Sequence, residues 1–451
     1  MILNRIVLIS TIALAAISTQ AADDQSLGEL LVEKGYISTD ELESVAQEAA
    51  DAEAGSATGS SGEAAAQKES GVEIRADKKG LAIESADGDY VFAFGGRIQA
   101  DAAVFIDDES SLGDGAEIRR ARIKSYGTLD RDWKYKLEVN FDTDSDVSLT
   151  DGWLQYAGFE PFTITVGHQK VPFSQQSMTS SNYQVFQERS LQDAFIDTSE
   201  EGRRRLGVVI ASYGDHWTAA GGFFGGNISG GSGTANSDWG TAARGVWVPI
   251  YEKTKVLTFG GAIDYRKFEE SPSELEFASR PEAHLAGTKM VDTGELPDAK
   301  WTLQWNLETS MVCGRFHAQA EYTGTEVIRN AGTKNLTLGG WYVQSGVFLT
   351  GESRNYDIKS GQYKAITPLN DYGAWELAVR YSAIDLADND LRGGKEQDVT
   401  LGVNWWVNTN IMMRFNYIYA DVSPNTSVPS VTLGGVDETA HAFTARTQVV
   451  F

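Results

Sequence analysis

One cysteine, Cys313, occurs in 451 residues, so an intrachain disulfide and a cysteine-based metal site are both excluded. Proline is scarce as well, with 9 residues against 46 glycines, and 10% of the chain is aromatic, a balance that suits β-structure with many turns. Positive charge is in short supply: 38 Lys and Arg against 63 Asp and Glu leave −25. That excludes a nucleic-acid binder, which needs a basic surface. Past the N-terminus no run approaches the roughly 18 consecutive apolar residues of a membrane helix. Only strands could carry this chain across a bilayer. The five histidines, His168, His216, His284, His317 and His441, are scattered, with no HExxH pair and no GxSxG elbow. The chain therefore reads as no enzyme, with no metal and no cofactor.

What is present begins with residues 1–21, which read as a secretory signal. Arg5 is followed by a short apolar run over 6–18, with cleavage expected after Ala21 and a retained anchor as the alternative. Residues 23–54 carry a helical pattern: Leu27, Leu30, Leu31 and Val32 cluster, Ser38 or Thr39 caps a second helix, and Leu42, Val45 and Ala46 share a face. The pair is too small to fold alone, so it is expected to be a periplasmic, coiled-coil-like segment. Residues 55–71, rich in Ser, Gly and Ala, read as a flexible linker.

From Tyr90 the hydrophobic period becomes two. Phe92, Phe94, Ile98, Val104 and Ile106 alternate with Arg97, Gln99 and Asp101, and Trp133, Tyr135, Leu137, Val139 and Phe141 alternate with Lys134, Lys136, Glu138 and Asn140. Runs at 399–407 and 411–419 repeat the pattern, at about the 9–11 residues that a tilted strand needs to cross a bilayer. Further strands are expected to start near Val147, Pro161, Arg203, His216, Trp239, Thr254, Trp301, Arg315, Leu336, Tyr372 and Glu438. Residues 72–451 thus read as an all-β, transmembrane antiparallel β-barrel of about 16 strands. Short links alternate with long polar ones, as periplasmic turns alternate with extracellular loops. One connection breaks that rhythm: 351–371 is long where a turn is due, so the strand number could differ by two. The chain ends on Phe451 behind Val449, Thr447, Ala445 and Phe443, an alternating strand with the terminal aromatic that outer-membrane barrel-assembly machinery reads.

The stretch Glu117–Leu129 concentrates cations on one strand. Arg120, Arg122 and Lys124 share a face with Tyr126, while Ala121 and Ile123 point the other way. Like charges stacked about 7 Å apart repel, and a water-filled lumen that offers them anions would hold them. The competing reading pairs them with lumen acids such as Asp101 and Glu138, as wall braces. Arg203 and Arg205 form a second basic pair, at the mouth of a later strand or as rim charges beside Glu200 and Glu201.

Several segments together resemble the phosphate-selective porin O and P family: Gly95-Gly96-Arg97-Ile98-Gln99, Arg119-Arg120-Ala121-Arg122, Asp132-Trp133-Lys134-Tyr135-Lys136, Gly167–Phe173, Ser180-Ser181, Glu188-Arg189-Ser190 and Gly373–Ala378. The resemblance covers about 71–451. It implies a sixteen-stranded outer-membrane barrel, a homotrimer set in lipid. Small anions, phosphate included, would diffuse through a lumen narrowed by an inward-folded third loop. Carried over, the anion site would use Arg119, Arg120 and Asp151; strand parity points Arg120 inward and not Arg119, which turns inward only through a bulge or a position near the strand end. The third loop would run over about 172–202 with Ser180, Ser181, Asn182 and Arg189. Anion-selective relatives place a lysine soon after the Ser-Ser pair. Asn182 stands there instead, which weakens the case for phosphate alone. A general or cation-favouring pore, a non-transport barrel such as an adhesin, and a secreted β-rich binding protein are the other readings.

Overall fold

A computed structural model of the chain describes residues 71–77, 80–107, 112–141, 147–196, 203–225, 238–268, 275–423 and 437–451. The expectations for the signal, for the helical pair and for all of the linker but Gly71 lie outside the described residues.

A hairpin of β1 (Val72–Asp77) and β2 (Gly80–Ser85) leads into the wall. The first wall strands are β3 (Val91–Asp107), β4 (Gly115–Leu129), β5 (Trp133–Phe141), β6 (Val147–Phe159) and β7 (Phe162–Lys170). Next come β8 (Arg204–Gly214), β9 (Trp217–Phe224), β10 (Trp239–Glu252) and β11 (Lys255–Lys267). The small hairpin β12 (Ala278–Ser279) and β13 (Val291–Asp292) precedes β14 (Ala299–Cys313), β15 (Phe316–Arg329) and β16 (Leu336–Phe348). A second small hairpin, β17 (Tyr356–Asp357) and β18 (Gln362–Tyr363), separates these from β19 (Ala374–Asp388), β20 (Leu391–Trp406), β21 (Ile411–Ser423) and β22 (Glu438–Val450). Without the three hairpins, sixteen strands remain, each antiparallel to the next, and β22 returns to pair with β3. Closure gives every strand two neighbours and leaves no edge, the condition for β-structure in a membrane.

The last residue helps make the seam. Gly96 N–H donates to the Phe451 carbonyl at 2.7 Å and the Phe451 N–H donates to the Gly96 carbonyl at 3.1 Å. A Cβ on Gly96 would stand 2.6 Å from the Phe451 ring, so the close approach requires glycine.

Strand periodicity fixes the two faces. Phe92, Phe94, Ile98, Val104 and Ile106 of β3 are exposed, while Arg97, Gln99 and Asp101 are buried. The outward face is an apolar band with aromatic residues near both ends of the strands. At the turn end Trp133 packs on Tyr156 and Trp375 stacks on Trp405, and at the loop end Phe223 stacks on Trp239. The inward face is polar at mid-height. Towards the loop end it becomes apolar, where Ile384, Leu386, Ile418, Ala420 and Val422 meet residues of two connections that fold inward. The long connection 349–373 does not alter the strand number. It is a turn-end segment whose hairpin buries Tyr356, Ile358 and Tyr363 against Val246, Val248, Val256 and Val312 on the inner wall.

Candidate functional site

Two β-bulges organise the basic side of the lumen. Across β3 and β4, Gln99 pairs with Arg120 but Ala100 pairs with Ile118, so Arg119 is the extra residue. The phase slips there, Ile118 faces out, and Arg119 and Arg120 both face in. Arg119 Nε donates to Glu188 Oε1 at 3.1 Å. Arg120 Nη1 donates to Gln99 Oε1 at 3.0 Å and lies 3.7 Å from Glu188. Across β5 and β6, Glu138 pairs with Asp151 and Val139 with Leu149, which makes Thr150 extra and buries Thr150 and Asp151 together.

Around these bulges the cations outnumber the acids. Glu138 takes Arg97 at 3.0 Å, Lys136 at 3.1 Å and Arg122 at 3.2 Å. Asp151 takes Lys136 at 2.6 Å and Arg204 at 3.0 Å. Lys170 donates to the carbonyls of Met178 at 3.1 Å and Thr179 at 3.4 Å. Lys124 sits 4.7 Å from the Tyr126 ring centre and has no carboxylate within ion-pair distance among the described residues. Arg97, Arg122, Lys124, Lys136, Lys170 and Arg204 therefore face Glu138 and Asp151, six cations to two acids.

The connection between β7 and β8 folds into the barrel. It holds α1 (Gln175–Met178) and two short turns, Ser181–Tyr183 and Leu191–Phe195. Its ties are to inward side chains of several strands. Arg97 Nη1 donates to Ser180, Ser181 and Asn182 side-chain oxygens at 3.3, 3.1 and 3.0 Å. The Glu321 carboxylate accepts the N–H groups of Gln175 at 3.1 Å and Gln176 at 2.8 Å. Arg414 donates to the carbonyls of Asn182 and Gln184, both at 3.0 Å, and Asn404 donates to that of Val185 at 2.8 Å. Glu188, deep in this connection, would be pushed up by burial, but Arg119, Arg120 and Arg446 outweigh that and hold its carboxyl well below the usual carboxylate range.

Arg189 stays within the loop, donating to the Gln176 carbonyl at 3.2 Å and lying 3.7 Å from Asp193. Arg203 and Arg205 line one cavity of about 580 Å³ at the loop end, with Arg119, Glu188 and Arg266. Arg203 precedes β8 at φ 53° and pairs with Asp264 at 2.8 Å, and Arg204 is the one that turns to Asp151. His317, on the other side of the barrel, bonds Glu376 at 2.6 Å.

Sequence reasoning left out Arg97, Lys136 and Lys170 as site members, and took Arg204 only as a neighbour of the pair Arg203 and Arg205. Arg97 and Lys136 were on the inward parity of their strands, which was the available signal. Lys170 and Arg204 could not be found that way, because both sit where regular strand geometry gives way to the third connection. Also unforeseen is the inward fold of the connection between β11 and β14. There Glu282 meets Arg380 Nε at 3.0 Å and Ser382 Oγ at 2.6 Å.

The family model for phosphate-selective porin O and P matches residues 92–451. Porin O of Pseudomonas aeruginosa is 26% identical over 413 residues, covering 83% of this chain and 91% of that protein. An uncharacterised protein of Caulobacter vibrioides is 30% identical over 349 residues, covering 73% of this chain and 68% of its own length. Among solved structures, an anion-selective porin from Comamonas acidovorans superposes with a TM-score of 0.52 at 13% identity, covering 80% of this chain and 99% of that one. The trimer form of OmpT of Vibrio cholerae gives 0.51 at 11% identity, with coverage of 80% and 99%. At those identities the two structures speak for the barrel fold alone. With the family model spanning the whole closed barrel, the chain belongs to the phosphate-selective porin O and P family and is a bacterial outer-membrane porin.

Proposed function

We propose that the barrel passes small anions, phosphate among them, by passive diffusion past a constriction between the β3–β8 wall and the inward-folded third connection. The excess of six cations over two acids carries this reading. Glu138 and Asp151 cannot neutralise the six cations around them, so a mobile anion is attracted to that cluster while a mobile cation is repelled. Guanidinium forks suit phosphate and carboxylate oxygens, and partly hydrated ones release them fast enough for conduction. Asn182 stands where anion-selective relatives carry lysine. Arg97, bonded to the Ser180, Ser181 and Asn182 side chains, supplies a positive charge at that same place.

The assembly is a homotrimer in outer-membrane lipid, inserted by barrel-assembly machinery that reads Phe451, with residues 23–54 in the periplasm. The trimer form of the Vibrio cholerae OmpT barrel supports the first of these. The adverse observation is that Arg97, Arg122, Lys136 and Arg204 all touch acids, which favours a general pore of weak selectivity.

Reversal potentials in a potassium chloride gradient across a planar bilayer separate the two. The wild-type protein should show the anion-selective sign, phosphate should reduce the chloride current, and Lys124→Gln and Arg120→Ala should each move the potential towards zero. A cation-selective sign in the wild-type protein would sink the proposal. Unchanged potentials in both variants would move selectivity away from β4.

A further inference from the structure

Three guanidinium groups converge on the Glu188 carboxylate of the third connection. Arg119 grips it side-on, with Nε 3.1 Å from Oε1 and Nη2 3.5 Å from Oε2. Arg446 Nη2 donates to Oε1 at 2.6 Å, and Arg120 Nη1 lies 3.7 Å from the same oxygen. Arg446 is also paired through Nε and Nη2 with Asp101, at 2.7 and 2.6 Å. Among the described residues, Arg119 and Arg120 have no carboxylate other than Glu188 within ion-pair distance.

The backbone around Glu188 is fixed by other groups. The Gln187 carbonyl accepts from Arg446 Nη1 at 2.5 Å, and the Glu188 carbonyl accepts from Arg380 Nη1 at 3.2 Å. The Ser190 N–H and Oγ donate to Gln176 Oε1 at 3.1 and 2.9 Å. These bonds hold the connection on both sides of the carboxylate without using it. Glu188 and Arg119 also keep contact with open space. Each side chain is 18% exposed, and both line the cavity of about 580 Å³ at the loop end. The Glu138 and Asp151 side chains, by contrast, are each 6% exposed. An ion in that cavity borders the Arg119–Glu188 pair.

A guanidinium holds the paired oxygens of a solute phosphate or carboxylate with the same fork that Arg119 turns on Glu188. We propose, on the anion-passing reading above, that Glu188 is a tethered competitor for the transported anion. Its carboxylate occupies the place that a mobile oxyanion takes on Arg119, Arg120 and Arg446, and so sets how tightly the pore holds its solute. An incoming phosphate exchanges one ion pair for another instead of meeting bare cations. The carboxylate it displaces stays close enough to repel it. Conduction needs binding favourable enough for entry and weak enough for exit, and Glu188 supplies the second condition.

The test uses the full-length protein in planar bilayers and reads the concentration of inorganic phosphate that halves the chloride current. In a water-filled lumen, loss of one like charge about 4 Å from a bound anion raises that anion's affinity about fivefold. Glu188→Gln, which keeps an oxygen for Arg119, should therefore lower the half-blocking concentration at least about fivefold. Its single-channel noise should match wild type, because the backbone bonds remain. Glu188→Asp, whose charge is drawn back by one methylene, should fall between the two, and it decides the matter where the glutamine variant does not insert. A residue that merely braces the loop predicts an unchanged or weaker block. That result in either variant, beside a wild-type protein with the anion-selective sign, would overturn the tethered competitor alone. A cation-selective reversal potential in the wild-type protein would remove the anion-passing reading and the competitor with it.

Discussion

Glu138 decides how much of the basic wall an ion in the lumen can feel. Its carboxylate touches Arg97, Arg122 and Lys136, half of the six cations. Breaking a buried pair by removing one partner is strongly destabilising when no water can enter. In the constriction proposed above these partners border the ion path, where water offsets part of that loss and electrostatics dominates the readout. In water a unit charge about 8 Å from an ion contributes about 0.5 kcal/mol, a little over twofold in that ion's occupancy. The sign is opposite for the two ions. Glu138→Gln should therefore raise the chloride-to-potassium permeability ratio about fivefold at low salt. Reversal potentials check it, and a ratio that falls would mean that the paired cations act only as braces. Parity made Arg120, Arg122 and Lys124 legible as a face. It could not make Arg119 legible, because an inserted residue is set by cross-strand pairing and leaves no trace in a single strand's period.

Among the elements, the third connection depends most on one side chain. Glu321 of β15 accepts the Gln175 and Gln176 N–H groups, which open α1, and also the Tyr342 hydroxyl at 2.6 Å and Gln319 Nε2 at 3.0 Å. A four-residue helix cannot stabilise itself, so these charge-assisted bonds hold it in the lumen. Each donor left buried and unmade costs about 1–3 kcal/mol. Glu321→Ala should loosen the connection, with larger and noisier single-channel steps and an unchanged sign of selectivity. Steps indistinguishable from wild type would show that the loop is held elsewhere. The strands themselves were easy to read, since membrane-facing and lumen-facing residues must alternate. The inward connections were not. Phe277, Met290 and Val291 belong to no periodic run, and a partner they cover, Ile418, read in sequence as an ordinary inward position. Length alone drew attention to 351–371, and length cannot tell an extra pair of strands from a segment folded inward.

For the whole molecule, the net charge and the charge of the basic patch around Glu138 and Asp151 have opposite signs, and the proposed function depends on the second overruling the first. The chain carries −25, yet residues 23–70 alone hold twelve acids and two lysines. The compact unit that contains the barrel begins at Glu69. An ion at the constriction sees the wall within a few ångströms, whereas fields from charges beyond the lumen are screened over about 8–10 Å at physiological salt. Selectivity set by the wall must be indifferent to the acidic N-terminal stretch. A chain with the signal joined directly to Glu69 should therefore insert, migrate in a heat-modifiable way and give the wild-type reversal potential at 0.1 M salt, where the Debye length is about 10 Å. At about 0.01 M, where it reaches about 30 Å, the shortened chain should become the more anion-selective of the two, because the eleven acids of residues 22–68, set against two lysines, no longer repel anions. A large shift at the higher salt would place part of the filter in residues 22–68. A shift towards cations at the lower salt would contradict the assignment of selectivity to the basic wall.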